Sequence, residues 1–269
     1  MKVAVTGANG FLGSGICHEL VRRGHDVVAV DLKSDHLGEG IRMVEGSAFE
    51  MADPFFEMDE PDCVLHLAWR DGFKHNSDAH IEDLPKHVEL IKRLADSPLG
   101  RIAVMGSMHE VGYFEGGIRP ETPCSPESMY GIAKNALRQA SELLCRGSGT
   151  ELQWLRGYYI VDETTYGSSI FSKICKTAAA GQSSFPFTMG QNQYDFLDYP
   201  EFCSMVVDIV TGDSGAGTYN ISSGRPERLA DRVERFIAEN GFDIRLEYGA
   251  YPDRPYDSPA VWGWQPPRC

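Results

Sequence analysis

The first two dozen residues constrain this chain more than any other stretch. A short apolar run, Lys2–Thr6, leads into Thr6-Gly7-Ala8-Asn9-Gly10-Phe11-Leu12-Gly13, and an amphipathic segment continues to Arg23 before Gly24. Strand, tight turn and helix fit that order. Glycines at 7, 10 and 13 let the backbone turn sharply, admit a phosphate at close range, and let the helix pack on its strand. Phosphate oxygens would rest on amides at the helix N-terminus, with Asn9, Phe11 and Leu12 completing the loop, because the helix dipole favours negative charge there. A glycine triplet alone can be only a turn. Between a predicted strand and a predicted helix it points to a dinucleotide site.

Asp31 closes the next predicted strand, Asp26–Asp31. A carboxylate at that spacing accepts the ribose hydroxyls of NAD and repels the extra phosphate of NADP. Lys33 lies close enough to soften the discrimination, so NAD is the expected cofactor and NADP the less favoured one.

Further strands are predicted at Ile41–Glu45, Asp62–Leu67, Arg101–Gly106 and Leu152–Arg156. They alternate with helical patterns at Phe11–Arg23, Ile81–Ala95 and Ser128–Arg146, the rhythm of βαβ units and a parallel sheet. After about residue 160 the rhythm changes. Helices are predicted at Ser168–Ala180, Glu201–Val210 and Glu227–Asn240, strands at Tyr194–Asp198, Thr218–Ile221 and Ile244–Tyr248, and a polar loop at Gln182–Gln193. The expected fold is α/β: a Rossmann-type doubly wound parallel sheet over 1–160, with a small α/β substrate lobe over 161–269 that interleaves with it.

Composition narrows the partners. With 42% apolar residues in a 269-residue chain there is ample material for a core. A net charge of −14 argues against nucleic acid, which needs clustered Lys and Arg. The seven cysteines are scattered without a CxxC pair, which fits a reduced protein better than a disulfide framework or zinc site. The eight histidines show no ligand spacing, so no metal is expected. With no leader-like start and no apolar run approaching roughly 18 residues, the expectation is a cytoplasmic protein that does not engage a membrane.

Tyr130-Gly131-Ile132-Ala133-Lys134 sets a phenol and an ammonium four residues apart at the start of a predicted helix, hence on one face. A free tyrosine is a poor base at neutral pH, and a cation held nearby favours its phenolate. Tyr130 could then take a proton from a hydroxyl, or return one to a ketone. Taken alone, such a pair is common on helix surfaces. It gains weight from the glycine loop and Asp31 in the same chain.

Together these segments resemble the NAD-dependent epimerase/dehydratase branch of the extended short-chain dehydrogenases over nearly the whole chain. The matching stretches are TGANGFLG at 6–13, Asp31, HLA at 66–68, GSMHEVG at 106–112, YGIAK at 130–134 and Asn220. The resemblance implies that Leu67 and Ala68 line the cofactor site and that Lys134 bonds the nicotinamide ribose while acidifying Tyr130. It further implies a nucleotide-sugar substrate, from the likeness of Gly190–Phe196 to a "G…DF" stretch, with Arg254 as the residue that meets the diphosphate. A homodimer through the Tyr-Lys helix is a further expectation, although the same apolar positions would serve a monomer's core.

Some positions depart from the family pattern. Met108 stands where a Ser or Thr normally bonds the reacting sugar oxygen, leaving Ser107 as the expected donor and His109 as a possible substrate contact, an arrangement similar to the Ser-Asn-His of uronate dehydrogenases. Met108-His109-Glu110 keeps only the Glu of the dehydratase triplet, which ranks elimination low. Ser47 replaces an Asp near the adenine, Tyr194 an Arg before the DF pair, and Asp83 an Asn of the active-site helix. Trp69 and Tyr113 are expected to be packing residues. The first expectation is an epimerase that oxidises a sugar transiently and keeps its NAD, with Tyr130, Lys134 and Ser107 as catalytic residues. The runner-up is a net reductase of a 4-keto sugar nucleotide, or a dehydrogenase of a sugar or uronate.

Overall fold

The computed structural model describes residues 1–165, 167–252 and 257–265. The chain divides into two compact units: 1–112 with 123–157 and 200–221, and 113–122 with 158–199 and 222–269.

The first unit is built on seven strands: β1 (Lys2–Thr6), β2 (Asp26–Asp31), β3 (Ile41–Glu45), β4 (Cys63–His66), β5 (Arg101–Ser107), β7 (Glu151–Gly157) and β11 (Gly217–Ile221). Their order is β11-β7-β5-β4-β1-β2-β3, and every neighbouring pair is parallel. The inner strands β1, β2, β4, β5 and β7 are buried almost throughout, as a sheet covered on both faces requires, while the edge strand β3 is only partly covered. Helices α1 (Phe11–Arg22), α2 (Pro54–Glu57), α3 (Ala79–Ala95), α4 (Met129–Ser148) and α6 (Tyr199–Thr211) accompany it. One core layer joins Val28, Val30, Val64, Ile102, Val104 and Trp154 of the strands to Leu90, Ile91 and Leu94 of α3 and Leu137 of α4. The strand order reverses between β1 and β4, so their carboxyl ends open a crevice where ligands bind in such sheets. Asp31, His66 and Ser107 end their strands on that same edge.

The second unit contains β6 (Gly116–Ile118), β8 (Tyr159–Val161), β10 (Gln193–Asp198), β12 (Pro226–Arg228) and β14 (Ala260–Gly263), in the order β12-β10-β14-β6 with β8 also paired to β10. A separate pair joins β9 (Ser184–Pro186) to β13 (Arg245–Glu247), and α5 (Ile170–Ala179) and α7 (Leu229–Glu239) complete the unit. Asp195 is its buried anchor. Its carboxylate accepts from the amides of Ser223 (2.7 Å), Gly224 (2.9 Å) and Gly263 (3.1 Å) and from the Ser223 hydroxyl (2.6 Å).

The predicted elements of the first unit agree with these bounds to within two residues. The second unit needs corrections. The polar loop at 182–193 contains β9, and Glu227 and Arg228, expected in a helix, belong to β12, where Glu227 pairs with Tyr194. Ser168 and Ser169 precede α5, with the Ser169 side chain accepting the Ser172 amide as cap. Tyr113, expected to pack, is 48% exposed. Arg254 lies outside the described residues.

Candidate active site

The glycine loop is built as its spacing requires. Gly7 has φ +70, and a Cβ there would stand 2.7 Å from the Ala68 backbone. A Cβ on Gly13 would stand 2.2 Å from the Gly7 carbonyl oxygen, and one on Gly10 3.2 Å from it. Neither 7 nor 13 can carry a side chain, and β1, the loop and the end of β4 therefore lie backbone against backbone. Gly10, the residue before helix α1, offers no side-chain cap, and the helix has no acidic residue in its first turn. Phe11, Leu12, Leu67 and Ala68 are half-buried around this loop.

Asp31 stands beside it. One carboxylate oxygen accepts the Asn9 amide (2.9 Å) and the other the Leu32 amide (2.7 Å), while the Asn9 side-chain oxygen accepts the His36 amide (2.7 Å). Each oxygen of Asp31 keeps a lone pair for a further donor such as a ribose hydroxyl. The donor set, the carboxylate and the side-chain-free cradle fit a dinucleotide. Ser47 caps its own turn by accepting the Phe49 amide (3.3 Å), and Asp83 sits in an ion-pair set with Arg70 (2.9 Å) and Lys86 (2.8 Å).

Tyr130 and Lys134 enter from the first turns of α4, which Ser128 caps by accepting the Gly131 amide (3.1 Å). Gly131 is required there. A Cβ on it would stand 2.3 Å from the His109 carbonyl oxygen, so only glycine lets α4 press against the turn after β5. That turn, Met108–Glu110, carries a reciprocal capping box between Ser107 and Glu110. Ser107 lies close enough to the Tyr130 phenol to favour its ionised form. Met108 is buried in the turn and His109 packs toward His75, with ring centroids 4.3 Å apart. Ser107, Tyr130, Lys134 and His109 thus converge, while the glycine loop and Asp31 line the same sheet edge.

The turn is held from below by an ion pair the sequence reading did not anticipate. Glu110 accepts from Trp154 Nε1 (2.9 Å) and Arg156 Nε (2.9 Å), and Glu110 and Arg156 are both fully buried. Gly106 makes this possible, since a Cβ there would stand 2.2 Å from Trp154 Nε1. Glu110 is therefore committed to structure and cannot serve as an acid for elimination.

Titration behaviour differs from expectation. Burial pushes the Tyr130 phenol up to about 12, opposed by Ser107, and pushes Lys134 down to about 7, opposed by Glu110. Burial outweighs the lowering influences on Tyr130, so the acidification expected from Lys134 does not prevail. The ammonium donates to the Met105 carbonyl (2.7 Å) and stands 5.8 Å from the Tyr130 ring centroid, while desolvation acts on both groups.

Five of the eight histidines, His66, His75, His80, His87 and His109, gather near this pair or behind it. His75 stacks on Tyr130 (5.4 Å, 11°), and its carbonyl accepts the Tyr130 amide (2.9 Å). Thr6 Oγ1, His66 and His87 form a buried hydrogen-bonded chain, with Thr6 to His66 Nδ1 at 2.7 Å and His66 Nε2 to His87 Nδ1 at 2.8 Å. Burial holds both imidazoles well below the ordinary histidine range, His87 at about 3. Trp69 stacks on His87 and donates its indole N–H to His80 Nδ1 (3.0 Å). Among the described residues, no group of three or more His, Cys, Asp or Glu side chains is placed to hold a metal ion. No helix among them is long and apolar enough to cross a membrane.

The chain is 38% identical over 270 residues, covering 98% of it and 99% of the relative, to a dTDP-6-deoxy-L-talose 4-dehydrogenase (NAD(+)) of Aggregatibacter actinomycetemcomitans. In fold it is similar to a UDP-glucose 4-epimerase of Thermotoga maritima, with TM-score 0.84 and 20% identity over 98% of this chain and 89% of that one. It is likewise similar to the Thermus thermophilus UDP-glucose 4-epimerase in complex with NAD, with TM-score 0.81 and 17% identity over 98% and 90%. Residues 3–222 match the model of the NAD dependent epimerase/dehydratase family. With Gly7, Gly13, Asp31, Tyr130 and Lys134 disposed along one sheet edge, the chain belongs to the NAD dependent epimerase/dehydratase family.

Proposed function

We propose that this protein is an NAD-dependent 4-dehydrogenase of a dTDP-activated 6-deoxyhexose, interconverting the C4 carbinol and the 4-keto sugar. The observation that carries the reading is the enclosed Ser107–Tyr130–Lys134 arrangement in a chain so similar, end to end, to a dTDP-sugar 4-dehydrogenase. Gly7, Asn9, Gly10, Phe11, Leu12 and Gly13 hold the pyrophosphate, Asp31 the adenosine ribose, and Leu67 and Ala68 the wall of the site. When bound, NAD supplies the two-electron acceptor.

Tyr130 exchanges a proton with the sugar oxygen. Ser107 donates to the phenolate and so stabilises it. Lys134 contributes a positive charge to the same site and a donor for the nicotinamide ribose. With Met108 unable to donate where a hydroxyl residue usually stands, His109 is the substrate contact from that turn. The diphosphate partner assigned from sequence is Arg254.

An epimerase, the reading put first from the sequence, uses this same set of residues and differs only in retaining the reduced cofactor. The similarity to a net dehydrogenase favours exchange. A panel of dTDP-, UDP- and GDP-sugars with NAD, followed by near-ultraviolet absorbance and chromatography, tests the proposal. Stoichiometric reduced cofactor with a dTDP-6-deoxyhexose supports it; a new sugar isomer without net reduced cofactor overturns it in favour of epimerisation.

A further inference from the structure

Lys134 is a cation with almost no water, its residue 4% exposed. One partner is the Met105 carbonyl oxygen at 2.7 Å. Among the described residues it has no carboxylate within ion-pair distance, because the nearby Glu110 is taken up by Arg156 and Trp154. Its second partner is aromatic. Nζ stands 3.6 Å from the centroid of the Trp69 ring, inside the range where an indole's π face attracts a cation.

Trp69 is itself fixed in place. Its indole N–H donates to His80 Nδ1 (3.0 Å), and His80 Nε2 lies 3.0 Å from the Lys74 carbonyl, an arrangement that a neutral His80 with its proton on Nε2 satisfies. The indole also stacks on His87, at 4.4 Å and 24°. His87 stays uncharged well below neutral pH, so no second cation competes for the indole. The residue before it, Ala68, packs against Gly7, so the indole is carried by the backbone that shapes the glycine loop.

We propose that Trp69 is a positioning residue for Lys134: its indole face supplies the ammonium's second partner, keeping that group charged and directed into the Tyr130 site. This rests on the Tyr-Lys reading of the proposed function. The groups facing Lys134 are Tyr130 on α4, Glu110 in the turn after β5, His66 at the end of β4 and His87 on α3. Only Glu110 among them raises its proton affinity, and burial already sets that affinity near neutrality. A modest loss of attraction therefore empties the charged form at working pH. Removal of a desolvated indole partner shifts the midpoint down by about one pH unit, so the protonated share at the former midpoint drops from about one half to about one tenth.

The test is a titration of the full-length protein carrying 13C at the lysine ε-carbons, with the Lys134 signal assigned from Lys134→Arg. Trp69→Leu is expected to lower the Lys134 midpoint by about one pH unit, and Trp69→Phe by less. Biosynthetic replacement of tryptophan by mono- and difluorotryptophan drains π density and preserves shape, so it must lower the midpoint stepwise even should Trp69→Leu not fold. In turnover, the loss of rate as pH rises through the Lys134 midpoint must move down by the same interval. A midpoint unmoved by fluorination, or a rate reduced by one constant factor at all pH values, overturns the proposal. An NMR shift in a protein that reduces no cofactor with any nucleotide sugar would sink the functional reading alone.

Discussion

Glu110→Gln gives the account its sharpest stability prediction. The carboxylate has no solvent exposure and faces an Arg156 guanidinium that has none either, at 2.9 Å. The amide keeps the size of the side chain and removes its charge, leaving the arginine buried without a counter-ion. Breaking a buried pair in this way costs about 3–5 kcal/mol, because the surviving charge keeps its desolvation penalty. At roughly 2–4 °C per kcal/mol for a chain of this size, the melting temperature should fall by about 6–20 °C. Circular dichroism melts and urea unfolding of both proteins measure it. A double replacement, Glu110→Leu with Arg156→Met, removes both charges and should recover most of the loss, giving a coupling energy well above 1 kcal/mol, roughly the most that an exposed pair contributes. A Glu110→Gln protein within about 1 kcal/mol of the parent would mean that the pair is hydrated, since only a hydrated pair is lost so cheaply.

Three further outcomes follow from the same geometry. Gly13→Ala places a Cβ 2.2 Å from the Gly7 carbonyl, so NADH affinity measured by fluorescence titration should fall at least about tenfold through distortion of the loop. Asp31→Ala should raise the KM for NAD and move the NADP-to-NAD preference upward by about tenfold, read from initial rates with both cofactors. The buried His66–His87 chain makes the fold acid-sensitive. Both imidazoles have folded values below the unfolded one, so the unfolded chain binds protons first and stability is lost progressively as pH falls from about 6.5 toward about 3. Between pH 7.5 and pH 5, urea unfolding should lose about 2 kcal/mol through His87 alone and more with His66 added, and replacing both histidines with apolar residues should flatten the dependence.

Legibility from sequence tracks how local the determining physics is. The loop at 6–13, Asp31 and the Tyr130–Lys134 helix rest on backbone freedom and helical spacing, which a linear reading contains. The strands of the seven-stranded sheet are apolar runs of four to seven residues and show themselves by composition. In the second unit β6, β8, β9, β12 and β13 have three residues each and β14 four, and each exists through a partner distant in sequence, as Val261 does with Tyr194 and Gly116. No period can be read from three residues. The same holds in the site. Glu110 was visible only as the remnant of a motif, because its meaning depends on Arg156, which lies 46 positions away. Trp69 has the composition of a packing residue, and its role against Lys134 exists only through a partner 65 positions away. The one local signal overlooked is Gly131, whose place inside the Tyr-Lys spacing reports the close approach of the turn at 108–110.

Everything above turns on Tyr130 exchanging the proton while the chain carries out two-electron chemistry on a nucleotide sugar. Tyr130→Phe, assayed with a dTDP-6-deoxyhexose and NAD alongside NADH binding by fluorescence, tests it most directly. The account predicts turnover reduced by about 10²–10⁴-fold with cofactor affinity kept within a few-fold, since the phenyl ring preserves the packing against His75 and Trp69. Undiminished formation of reduced cofactor by the phenylalanine variant would contradict it.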